Sequence, residues 1–300
     1  MKLAYIIICH NNPSKIAAIV NRLTLGTENI AVLHVDSRAD ITEFKTALAG
    51  NDRAFFVDHR VPALWGSWNG NVAIINGLKT AIGFDCDRFI IYQADTWPLK
   101  TNEEINAFFE SRPDVEYIRA VNATRAQRAG QYMKAWGYHV TNVDVRAWDN
   151  PGSIVHHFFS AINKLGIKYR RGYYVDDHGK RSDVFWGWIH VALTRKCVEY
   201  IIGKYEGDKG FNRYMMHVFP CDETYIPTVV FNSPFAPKTI MHGSEPDGTD
   251  VKYLTYFEYP PGSIRVFEHP EELKGKDVSE CLFVRKVSEG FISEYSDGKC

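Results

Sequence analysis

The sequence predicts an α/β fold built on a mostly parallel sheet with helices on both faces. Three observations predict it. Leu3–Cys9 is a continuous apolar run of strand length that stops at the polar His10-Asn11-Asn12-Pro13. Short apolar runs recur at Ile30–Val35 and at residues 54–57 and 88–92. Segments with apolar residues at helical spacing lie between them. Strands apolar on both sides, alternating with helices, belong to parallel sheets whose two faces are covered.

Taken in order, Leu3–Cys9 is the first strand. Pro13-Ser14 opens a helix with Ile16, Ile19, Val20 and Leu23 on one face. Ile30–Val35 is the second strand and ends at Asp36; residues 54–57 form the third. Residues 72–82 read as a helix with Ile74, Ile75, Leu78 and Ile82 turned inward. Residues 88–92 are a fourth strand, and 102–109 a helix capped by Thr101 or Asn102. Residues 115–120 are expected to be a fifth strand. Residues 184–194 read as one further strand ending in a Thr194-Arg195-Lys196 turn, and 197–202 begin a helix. Residues 222–230 form a helix after the break at Pro220-Cys221. Beyond Pro234 the chain is expected to be irregular until 279–287.

The chain has 300 residues and a mass of 34.3 kDa, which suits one large domain or two small ones at about 100–200 residues each. At 45% hydrophobic and 24% charged, it is not disordered, collagenous or a coiled coil as a whole. Its 35 Lys+Arg against 36 Asp+Glu, a net charge of -1, argue against nucleic-acid binding driven by overall charge. No run is long and apolar enough to span a membrane. The first apolar run is too short and wrongly flanked for a signal peptide, so the N-terminus reads as mature and cytosolic. Six irregularly spaced cysteines without a Cys-x-x-Cys pair fit a reduced compartment rather than a disulfide framework or zinc site. Residues 119–181 stand apart, with 11 Lys/Arg against 4 Asp/Glu and interleaved aromatics such as Tyr132, Trp136 and Trp148. They read as an insertion or long loops over the sheet, either a solvated surface or a contact region.

Standard motifs are absent. There is no Gly-x-Gly-x-x-Gly, no Walker loop and no His-Glu-x-x-His. Gly66-Ser67-Trp68-Asn69-Gly70 places its serine one position early for a nucleophile elbow. Asp85-Cys86-Asp87 has the paired hard carboxylates that suit a divalent cation. It precedes the fourth strand, however, and so lies at the amino end, whereas open α/β sheets bind ligands beyond the carboxyl ends. At that carboxyl end Gln93-Ala94-Asp95-Thr96 offers one acid, a poor metal site. No metal site is expected.

A series of segments, in order along the chain, resembles the core-2/I-branching β-1,6-N-acetylglucosaminyltransferases, glycosyltransferase family 14, which also contains peptide xylosyltransferases. They are Cys9-His10-Asn11-Asn12-Pro13, His34-Val35-Asp36-Ser37, Leu64-Trp65-Gly66-Ser67-Trp68 and Gln93-Ala94-Asp95-Thr96-Trp97-Pro98-Leu99-Lys100-Thr101-Asn102. Phe185-Trp186-Gly187-Trp188 with Leu193-Thr194-Arg195, Cys221-Asp222-Glu223-Thr224-Tyr225 and Leu282-Phe283-Val284-Arg285-Lys286 complete it. Residues 119–181 match least. The resemblance implies a single GT-A domain: 1–118 for the nucleotide sugar, 119–181 the basic, aromatic insertion, and 182–300 for acceptor and catalysis. It implies inverting transfer of a sugar, GlcNAc or xylose, from a UDP-sugar to a hydroxyl of a glycan or glycolipid, with no cofactor or metal required.

Such a transfer needs a base for the acceptor hydroxyl and positive charge for the leaving diphosphate. Glu223 matches the family's catalytic glutamate, with Asp222 in support; spacing alone reads Glu223 equally well as an acidic helix-start residue. Lys286 matches the family's diphosphate-binding lysine, with Arg265 and Arg285 as candidate companions. His10, Asn11, Asp36, Ser37 and Trp65 are expected near the nucleotide. Asp95, Thr96, Trp186 and Trp188 are expected near the donor or acceptor sugar, with the two tryptophans sharing one strand face. Bulky Trp186 and Trp188 stand where the family has small serines, which implies a different acceptor. Without an anchor or disulfide pattern, the chain reads as a bacterial cytoplasmic enzyme, at the inner face of the membrane if its basic segment contacts lipid. The competing readings are a metal-dependent GT-A transferase with another donor and a non-catalytic nucleotide-sugar-binding protein.

Overall fold

The structure is a computed structural model that describes residues 1–125, 154, 157, 161, 172–246, 253–261 and 263–296. Most of the expected 119–181 insertion lies outside the described residues.

The first half alternates strand and helix: β1 (Leu3–Cys9), α1 (Pro13–Thr24), β2 (Ile30–Val35), α2 (Ile41–Ala47), β3 (Ala54–Phe56), α3 (Trp68–Ala81) and β4 (Arg88–Gln93). Next come β5 (Thr96–Pro98), α4 (Asn102–Glu110), β6 (Val121–Asn122), β7 (Tyr173–Val175), β8 (Arg181–Asp183), β9 (Phe185–Trp186) and β10 (Val191–Thr194). The chain continues through α5 (Arg195–Gly207), α6 (Lys209–Met215), α7 (Tyr225–Phe231), β11 (Thr255–Tyr256), β12 (Phe283–Arg285) and α8 (Glu289–Ser296). The central sheet has the order β10-β4-β1-β2-β3. Its strands are parallel except β10, which runs antiparallel to β4 at the edge. A small sheet, β11-β12-β5, stands beside it.

The side-chain alternation of β1 shows why both faces are covered. Leu3, Tyr5, Ile7 and Cys9 enter one apolar cluster with Ile16, Val20 and Leu23 of α1 and Phe109 of α4. Ala4 and Ile6 enter the other with Ile74, Ile75 and Leu78 of α3. The helices start where their caps allow. Asn12 accepts from the Lys15 amide ahead of Pro13, and Ser67 accepts from the Gly70 amide. Thr101 and Glu104 cap α4 reciprocally.

Four expectations change. Residues 115–120 form no strand: Tyr117 bridges Ala192 once and Glu116 bridges Thr239. The carbonyls of Arg112, Pro113 and Val115 are instead taken by the buried Arg88 guanidinium. Residues 184–194 are two strands rather than one, because the chain passes so close to Arg119 at Gly187 that a Cβ there would lie 2.3 Å from the Arg119 carbonyl oxygen. Helix α3 starts at Trp68, earlier than its apolar stripe, because Ser67 caps it. Helix α7 starts at Tyr225, not Asp222. Residues 221–224 form instead a separate turn, with the Thr224 and Tyr225 amides both on the Cys221 carbonyl and the Cys221 amide on the Gly66 carbonyl.

Candidate active site

The carboxyl ends of β1 and β4 open onto one region. His10 and Asn11, just past β1, are exposed. Asp95 follows β4, and β5 begins immediately after it. Antiparallel pairing of β5 with β12 sets Arg285 opposite Thr96, so Arg285 and Lys286 arrive beside Asp95. The Val287 amide donates to the Asp95 carbonyl (3.0 Å). Lys15, in the first turn of α1, donates from Nζ to Asp95 Oδ1 (2.9 Å) and to the Val287 carbonyl (2.6 Å). Three cations thus surround one carboxylate. Burial pulls Arg285 down to about 10, against the opposing pull of the Asp95 and Glu223 carboxylates. Lys286 is also pulled down, by burial and then by the adjacent Arg285 and nearby Lys15 charges. Charge held this far from water and this poorly neutralised favours an anion.

The second part is the turn before α7. The Cys221 amide donates to the Gly66 carbonyl (2.9 Å), and the Gly66 amide returns to Asp222 Oδ2 (3.4 Å). Asp222 Oδ1 accepts from the Glu223 amide (3.1 Å). Glu223 is held from the other side by consecutive residues at the end of β9. The Trp186 indole N–H donates to Oε2 (2.9 Å), and the Gly187 amide donates to the Glu223 carbonyl (3.1 Å). Burial raises the proton affinity of both carboxyls. The Asp222 charge raises Glu223 further, while the Trp186 bond and the Arg285 charge oppose. A carboxyl perturbed in this way by burial and a like charge is suited to proton transfer near neutral pH. Glu223 lies ahead of the helix, so it is not a helix-start residue.

The other expected residues are dispersed. Asp36 is buried and its two oxygens take four donors: the Arg38 amide, Nε and Nη2, and the Ala63 amide, all within 2.9 Å. Burial pushes this carboxyl up, but those bonds outweigh it and bring it to about 2. Asp36 therefore fastens two loops, and Ser37 beside it is exposed. Trp68 packs against Tyr205 and Tyr225, whereas Trp65 is 60% exposed with its edge on Phe219. Thr96 is fully buried, and its hydroxyl has no hydrogen-bond partner among the described residues. Trp186 and Trp188 do meet, with ring centroids 5.9 Å apart, but not on one strand face, since β9 ends at Trp186. Trp188 packs on Phe257. Arg265 adjoins Lys286, whose amide donates to the Arg265 carbonyl (3.3 Å), but its guanidinium is paired with Glu258 (2.8 Å) and Glu272 (2.5 Å), whereas the Arg285 charge is felt by Asp95 and Glu223. Asp87 sits at the amino end of β4, bound to the Lys2 amide (2.7 Å), as its position before the strand predicts. Among the described residues, no three His, Cys, Asp or Glu side chains gather as a metal site. Sequence reasoning missed Lys15, which only the folded contact with Asp95 reveals, and the donor role of Trp186.

The site lies beyond the carboxyl ends of a parallel sheet, where open α/β proteins bind their ligands, and it sets a perturbed carboxyl pair within electrostatic reach of a buried arginine. The Core-2/I-Branching enzyme family matches residues 3–280, and the chain belongs to that family. Its α/β architecture is the GT-A type that the family implies. Arg285 and Lys286 fall just beyond the matched span. No curated protein sequence matches. Among solved structures, the mouse xyloside xylosyltransferase 1 apo form is similar over 95% of this chain and 97% of its own, at 10% identity and a TM-score of 0.36. The apo structure of the WbbM bifunctional glycosyltransferase is similar over 78% of this chain, at 7% identity and a TM-score of 0.35, and this chain spans only 37% of it. HddC from Yersinia pseudotuberculosis, complexed with GMP-PN, is similar over 65% of this chain and 78% of its own, at 14% identity and a TM-score of 0.30. Among the described residues, no helix is long and apolar enough to cross a membrane.

Proposed function

We propose that the chain is an inverting glycosyltransferase that moves a sugar, GlcNAc or xylose, from a UDP-sugar to a hydroxyl of a glycan or glycolipid, without a metal ion. One observation supports this reading: the buried Arg285 lies within electrostatic reach of both Glu223 and Asp95, and so links the perturbed carboxyl to the cations around Asp95. Glu223 takes the proton of the acceptor hydroxyl as its oxygen attacks the anomeric carbon. The bond from that carbon to the β-phosphate oxygen breaks, and Lys286 and Arg285 receive the charge that develops on UDP. Asp222 keeps the proton affinity of Glu223 high. His10, Asn11 and Trp65 border the nucleotide, and Trp188 the acceptor. Fixed positive charge supplies the stabilisation that a divalent ion otherwise gives. The basic 119–181 segment would bring the enzyme to an anionic lipid surface bearing its acceptor.

The test is UDP release from UDP-GlcNAc, UDP-xylose and other UDP-sugars, with and without EDTA, by wild type and Glu223→Gln. The expected result is slow hydrolysis of one donor that survives EDTA and falls about 10²-fold or more in the variant. Loss with EDTA would establish the metal-dependent alternative. UDP binding without turnover of any donor would establish a binding protein. No release and no rise in Tm with UDP would overturn the reading altogether.

A further inference from the structure

Glu223 has two carboxylate oxygens, and the fold treats them differently. Oε2 accepts the Trp186 indole N–H at 2.9 Å. Among the described residues, Oε1 has no hydrogen-bond partner. The residue that supplies this donor is anchored twice over. The Phe185 amide, one position earlier, donates to Thr228 Oγ1 on α7 (3.0 Å), and the Gly187 amide, one position later, donates to the Glu223 carbonyl. Behind Gly187 the Arg119 carbonyl leaves no room for even a methyl group. The Trp186 ring also rests against Trp188, which packs on Phe257. A glutamate side chain otherwise samples many rotamers, and holding one of them before substrate arrives is what positions a reacting oxygen.

We propose that Trp186 is a positioning residue for the base: its indole N–H fixes the Glu223 carboxyl by Oε2 and turns Oε1 toward the acceptor hydroxyl. This rests on the assignment of Glu223 as base. The charged groups facing Glu223 are Asp222 on its own turn and Arg285 at the end of β12; Asp222 favours the protonated acid, Arg285 the carboxylate. Trp186 adds a donor that favours the carboxylate. It carries no charge and does not titrate, so it offsets the Asp222 charge without introducing a second titration. A tryptophan that served packing alone would act only through burial, which favours the protonated acid, and its removal would move the balance the other way.

The experiment measures donor hydrolysis, as kcat and KM against pH from 5 to 9, for wild type, Trp186→Phe, Trp186→His and Glu223→Gln. In Trp186→Phe the donor is lost, so the acidic limb of kcat moves to higher pH by about one unit, and kcat on that limb falls about tenfold. KM for the UDP-sugar stays unchanged, because Trp186 lies outside the cation cluster. Histidine carries an N–H at the equivalent ring position, so Trp186→His returns the limb to the wild-type pH or below. An unmoved limb in Trp186→Phe, with kcat reduced equally at every pH, would overturn the proposal; so would a Trp186→His limb that stays with that of Trp186→Phe. Full activity in Glu223→Gln would instead remove the base assignment, and the proposal with it. A readout on unaltered tryptophans guards against variants that do not fold. In wild type one indole ¹H–¹⁵N resonance is expected to move with pH, and in Glu223→Gln to stand still. If no indole resonance follows that titration, the hydrogen bond does not act on the base.

Discussion

Glu223 holds its proton more tightly than a glutamate in water, because burial and the adjacent Asp222 both disfavour its charge. The consequence for stability has a definite sign. Between the unfolded value, about 4.3, and the raised native value, the native state binds more protons than the unfolded chain. Stability therefore falls as pH rises through that window. Glutamine keeps an oxygen for the Trp186 indole and removes the charge. Glu223→Gln is thus expected to melt at a higher temperature than wild type at pH 8, with the difference vanishing near pH 4. Differential scanning calorimetry at both pH values checks this, and a wild type that equals the variant at pH 8 would contradict it. Asp36 shows the opposite case. Its oxygens are fully engaged by Arg38 and the Ala63 amide, which is why its carboxyl stays ionised.

At the scale of elements, the passage from β9 into Gly187 sets the geometry of the site. An alanine at 187 would place its Cβ 2.3 Å from the Arg119 carbonyl oxygen and 3.1 Å from Ala120 Cβ, both on backbone-anchored neighbours. Gly187→Ala is expected to cost about 1–3 kcal/mol in urea unfolding and to lower kcat as well, because the amide bond to Glu223 shifts with it. Full turnover in a destabilised Gly187→Ala would separate the crossing from the site. This crossing is also where the sequence stops being readable. β1, β2 and β4 are legible as apolar runs because burial on both faces confines their polar residues to His34 near the end of β2 and to Arg88 and Gln93 at the two ends of β4. α4 is legible through Thr101 and Glu104. α2 escapes notice because it buries only Phe44. β9 and β10 look like one strand because Gly187 is a steric requirement set by Arg119, remote in sequence. In the site, Glu223, Asp222, Lys286 and Asp95 stand out by family resemblance. The Trp186 bond, the Lys15 contact and the neutralisation of Arg265 depend on pairings between distant segments, which no local pattern encodes.

At the scale of the whole molecule, the Arg88 anchor and the proposed active site lie at opposite ends of β4. Arg88 begins β4 at the amino end, fully buried, and donates to the Val115 (2.8 Å), Pro113 (2.8 Å), Ala192 (3.1 Å) and Arg112 (3.5 Å) carbonyls. Arg88→Met strands those acceptors and is expected to cost about 3–5 kcal/mol, read from the urea midpoint, with turnover of the folded fraction unchanged. A proportionate loss of kcat would show that the two ends are not independent. Near the chemical end, the reciprocal bonds between Gly66 and Cys221-Asp222 join stretches of chain that are far apart in sequence. Each stretch supplies what the other lacks: Gly66 gives an amide to Asp222, and Cys221 gives one to Gly66. The two stretches therefore form a single unit of inheritance. A chimera that takes residues 64–67 from one relative and 219–223 from another separates parts that work only as a pair, so recombination and directed evolution should exchange or diversify them together.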